Sequence, residues 1–164
     1  MMIRSGSAVL TEEEQAIDVS AFFHTILFAY AKTLKDILGS GEAALIHPIL
    51  DRIMLVQNKK HLNMFQGESV DEVLAKFLEE LLKNGTMGWV GVKAVGDEKI
   101  LFKFEGCKFA KYTHEFLDTK DATCPFALVV MAILQSQTGK KVRPTDSEFT
   151  PTGTKTSIEF LPEE

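Results

Sequence analysis

Cys107, His114 and Cys124 stand in the chain as C-x6-H-x9-C, and thiolate with imidazole is a donor set that a borderline-soft ion such as zinc accepts. The spacing is not that of a zinc finger. If Cys107 opens a helix carrying His114, the two lie roughly 10.5 Å apart along the axis, too far to share one ion. His114 and Asp118 sit one turn apart on a single helical face, and the chain returns through Asp121 to Cys124. The candidate metal ligands are therefore His114, Asp118 and Cys124, with Cys107 as a more distant fourth. The competing reading is a hydrogen-bonded histidine beside two cysteines that serve as small buried hydrophobes.

Cys124 precedes Pro125 and so occupies a helix N-cap slot, where free amides and the helix dipole favour a thiolate. A nucleophilic enzyme also needs a base and an oxyanion-binding group, and only His114 is a candidate base. No catalytic residue is assigned, and binding is favoured over catalysis. His24 lies among apolar neighbours and reads as a satisfied buried histidine, while His61 sits in a polar run. Gly88-x-x-Gly91 falls on a predicted strand without the following helix that cradles phosphate.

The elements that must position these residues follow from periodicity. Thr11 with Glu12, Glu13 and Glu14 starts a helix whose apolar positions, Ile17 through Leu38, are too many for one packing face. A second amphipathic run extends from Glu42 to about Lys59, with His47-Pro48 in its early turns. Ser69-Val70-Asp71-Glu72 is a capping box, and Asn84-Gly85 ends that helix. Trp89 to Glu105 alternates with period two about Gly96-Asp97, as a β-hairpin does. A helix from Lys108 to about Leu117, a polar loop and a fully apolar helix opened by Pro125 come next. A second hairpin turns at Pro151-Thr152-Gly153, with Pro144 placing its first strand at a sheet edge.

Three helices, a hairpin, two helices and a hairpin predict an α+β fold: one antiparallel sheet with packed helices and a helical N-terminal half. The chain of 164 residues reads as a single domain, with a mainly helical half over 1–87 and a second half over 88–164. A formal charge of -5 without a basic run argues against nucleic acid as a partner. Two cysteines and no leader pattern point to a reducing, cytoplasmic setting, and no stretch is long enough to span a membrane. The surplus apolar surface of the first helix predicts a homodimer through it.

Several second-half motifs carry a family resemblance: Glu105-Gly106-Cys107, Cys124-Pro125-Phe126-Ala127, Thr138-Gly139-Lys140-Lys141-Val142, and Pro151-Thr152-Gly153 before Ile158-Glu159-Phe160. From Trp89 to Leu161 the chain resembles the 4-vinyl reductase-like domain family. That resemblance implies a fold related to the small subunits of the transport-protein-particle tethering complex, often dimeric, and a binder of hydrocarbon-like or tetrapyrrole-like molecules, as in archaeal hydrocarbon-binding proteins. It also implies cysteine metal ligands, of which Cys124 matches the helix-opening one. Where the family commonly carries two later cysteines, this chain has Ser147 to Thr150 and Thr156-Ser157, which removes two of those donors. The expectation is an apolar-ligand-binding protein with zinc as its candidate metal, the alternative being a dimeric scaffold without ligand chemistry.

Overall fold

The computed structural model describes residues 12–39, 43–60, 65–96, 98–114 and 123–162. Within them the chain runs α1 (Glu12–Leu38), α2 (Ala43–Lys60), α3 (Val70–Lys83), β1 (Trp89–Val95), β2 (Lys99–Glu105), α4 (Ala110–Thr113), α5 (Pro125–Thr138), β3 (Val142–Phe149) and β4 (Gly153–Phe160). The strands form one antiparallel sheet in the order β1-β2-β4-β3. The architecture is α+β with a helical N-terminal half, as the element order predicts. Thr11, Asp97 and the chain beyond His114 toward Asp118 and Asp121 lie outside the described residues.

Local chemistry accounts for the boundaries. Ser69 Oγ accepts from the Glu72 amide at 3.2 Å, the forward half of the capping box. The return bond differs from expectation: Glu72 Oε2 accepts from the Glu68 amide at 2.9 Å, while Lys76 holds Oε1 at 2.6 Å. Gly85 ends α3 in the left-handed conformation at φ 59, with Thr86 N donating to the Leu81 carbonyl. α4 begins later than the predicted Lys108, at Ala110, after a turn in which the amides of Cys107 and Lys108 donate to the carbonyls of Thr152 and Thr86.

α5 is the centre of the core. Ala127 and Val130 through Leu134 are all buried, and the helix packs against α2, α3 and β3. On the inner face of the sheet, Phe102 and Phe104 of β2 stand opposite Thr156 and Thr154 of β4. β3 is an edge strand, and its ladder shifts register between Pro144 and Asp146, where proline cannot donate. Among the described residues no helix is long and apolar enough to cross a membrane.

Candidate functional site

The Cys107 to Cys124 stretch divides into two environments. Cys107 follows β2 and Cys124 caps α5; both are buried, free thiols. Burial pushes the Cys124 thiol up to about 12, and the nearby amides of Ala127 and Phe126 offset only part of that. The amides act in the direction that favours a thiolate, and desolvation outweighs them, in keeping with the reading of both cysteines as small buried hydrophobes. Burial raises the Cys107 thiol as well.

His114 ends α4 and faces the β3–β4 turn. Its Nδ1 lies 2.6 Å from the Thr150 carbonyl oxygen, which can only accept, so Nδ1 carries the proton and Nε2 the lone pair. That is the state in which a neutral imidazole binds a metal. Nε2 is buried without a hydrogen-bond partner. Among the described residues, no group of three or more His, Cys, Asp or Glu side chains converges to hold an ion. Asp118, the expected neighbour of His114, lies outside the described residues.

The histidine that does neighbour His114 is His24 of α1. It is buried, as predicted, yet its Nδ1 has no hydrogen-bond partner, so it is not the satisfied histidine that its neighbours suggested. Aromatic rings hold it instead: Phe28 at 4.6 Å, Phe109 stacked at 5.0 Å and Phe126 at 6.1 Å between ring centres. Phe28 and Phe149 join this cluster to the His114 ring at 6.1 and 5.0 Å. Burial, reinforced by His114, lowers the pKa of His24 to about 4, and His114 is lowered by burial too. Both rings are therefore neutral near pH 7.

A separate feature escaped the sequence. An open groove of about 640 Å³ runs between α1, α2 and α5, lined by Leu34, Leu45, Pro48, Ile49, Arg52, Ile53, Val56, Gln57 and Val129. It shares no residue with the cysteine and histidine stretch. α2 builds most of it because its apolar stripe is wider than its contact: Ile46 and Leu50 turn into the core, while Leu45, Ile49, Ile53 and Val56 face the groove. Pro48, inside the helix, has no amide to donate and presents its ring to the same wall. Arg52 and Gln57 are the polar exceptions, and the Gln57 amide oxygen is buried without a partner. The width of the α2 stripe was the signal that could have found this groove.

No family model and no curated protein matches the chain. Among solved structures, a chain described under "Probing the function of heme distortion in the H-NOX family" is similar over 99% of this chain and 79% of that one, at 11% identity and a TM-score of 0.40. Likeness at that level bears on neither ligand nor activity.

Proposed function

We propose that the protein binds an apolar small molecule in the groove between α1, α2 and α5, with the molecule's polar end at Arg52 and Gln57. The groove carries this reading: at about 640 Å³ it has the size of a small-molecule site, and hydrocarbon walls with a few polar groups are the usual composition of one. Burying apolar ligand surface there yields about 25 cal/mol per Å² before the costs of association. The Arg52 guanidinium suits a carboxylate or phosphate, and the Gln57 oxygen suits a hydroxyl donor. The resemblance of 89–161 to hydrocarbon-binding domains supports the same class of ligand. The raised thiol pKa values of Cys107 and Cys124 favour binding over nucleophilic chemistry.

The test is displacement of an environment-sensitive apolar dye by long-chain alcohols, fatty acids and a metal-free porphyrin. Val129→Trp, which fills the groove, is expected to weaken binding at least about tenfold with the unfolding temperature preserved. Undiminished affinity in that variant, or no binding by the unmodified chain, would overturn the proposal.

A further inference from the structure

His24 and His114 are each 6% exposed, and each keeps a ring nitrogen that is buried without a hydrogen-bond partner, Nδ1 of His24 and Nε2 of His114. α1 packs against α4, and each of these elements brings one of the two rings. Both lie on Phe28, with centres 4.6 and 6.1 Å from it. Phe109 and Phe126 pack on the His24 side of the cluster and Phe149 on the His114 side. A polar nitrogen left unpaired in an apolar interior costs about 1–3 kcal/mol. Two of them in one cluster of phenylalanine rings call for a common partner.

We infer that His24 Nδ1 and His114 Nε2 are the two protein ligands of a buried copper(I) ion, held inside the cage of phenylalanine rings. His114 is already set as a ligand. Its Nδ1 donates to the Thr150 carbonyl at 2.6 Å, which leaves the lone pair on Nε2, and this is the outer bond that orients metal-binding histidines. Burial keeps both rings neutral near pH 7, so neither has a proton to release before it binds.

The donor count selects the ion. Among the described residues no group of three or more His, Cys, Asp or Glu side chains surrounds a common point, whereas zinc(II) asks for four donors and copper(II) for a tetragonal set. Copper(I) has a filled d shell and is satisfied by two nitrogen donors in line. Charge selects it as well. The cost of burying an ion rises with the square of its charge, so two neutral rings hold a monocation at far less cost than a dication, and aromatic rings offset part of the remainder. The phenylalanine cage also excludes the water and extra donors that the oxidised ion would need. The cysteines are not required: burial raises both thiols, and the thiolate is the form that binds metal. The site shares no residue with the groove, and the inference stands apart from the ligand proposed there.

Anaerobic titration of the full chain with copper(I), in competition with a chromophoric chelator such as bicinchoninate, is expected to show uptake of a single ion. X-ray absorption of the loaded protein should show two-coordinate copper(I) with nitrogen neighbours and no sulfur, a readout that needs no variant. His24→Phe, which extends the ring cluster in place of the ligand, should weaken uptake at least about a hundredfold with the unfolding temperature kept. Sulfur among the copper neighbours, undiminished affinity in His24→Phe, or zinc(II) bound in place of copper(I) when both are supplied would each overturn the inference. Failure to compete with the chelator would overturn it too, and would leave a buried water as the partner of the two nitrogens. Val129→Trp lies outside the cage and should leave copper uptake intact, so failure of the groove reading and failure of this one are distinguishable.

Discussion

Acidification should destabilise this protein in a pH window set by His24. Its pKa is lowered from 6.5 to about 4 in the folded chain, so between those values the unfolded chain binds more protons than the folded one. The stability associated with the neutral ring is complete above 6.5, falls with decreasing pH and levels off below about 4. At pH 5 the two pKa values imply a loss of about 2 kcal/mol relative to pH 8, at 1.36 kcal/mol per pKa unit. For a chain of this size that is a fall of roughly 4–8 °C in unfolding temperature. His114, lowered in the same direction, adds to the drop. Glu72 and Glu159 do not confound the window: their pKa values are lowered from 4.5, so their contributions are lost only below that pH. Urea unfolding at pH 8, 6.5 and 5 measures the effect, with His24→Phe as the decisive variant, since Phe28, Phe109 and Phe126 already surround the site with rings. The variant should lose about 2 kcal/mol of the pH dependence and keep the remainder, which belongs to His114. An unmodified protein equally stable at pH 5 and pH 8, or a His24→Phe variant with the full drop, would refute the reasoning.

Two further outcomes follow from burial and packing. Alkylation of Cys124 at pH 8 should be slow in the folded protein, because a thiol pushed up to about 12 is almost wholly protonated there; labelling as fast as in urea would contradict its placement. Gly153→Ala should destabilise by several kcal/mol in thermal unfolding, because a Cβ there would overlap the Phe104 carbonyl and force β4 away from β2; a change under about 0.5 kcal/mol would show that the strands yield freely.

The helices and hairpins were legible because their signals are local. The Ser69 cap, Gly85 and Gly139 at helix ends, the period-two run to Glu105 and Pro144 on an edge each depend on residues within a few positions of one another, and the structure places each as read. The Cys107 to Cys124 stretch fared differently because the properties of a side chain there depend on partners far along the chain. Cys124 has the amides a thiolate needs, but whether they prevail is decided by how completely α5 and the sheet exclude water, which no local spacing encodes. His114 is oriented by the carbonyl of Thr150, on a turn 36 residues away, and it helps to lower the pKa of His24, on the first helix.

The groove illustrates the same limit from the apolar side. A helical stripe reports which residues avoid water, not which neighbour covers them. On α2, Leu50 and Ile53 belong to one continuous pattern, yet Leu50 is fully buried against the core while Ile53 lines an open wall, because α5 and α1 cover only part of the stripe. On α1 the excess is larger. Its core face is a narrow set of positions around His24 and Phe28, and Phe22, Phe23, Leu27, Tyr30, Ile37 and Leu38 stay exposed. The period of α1 reports that excess, and not which of its residues the fold leaves in water.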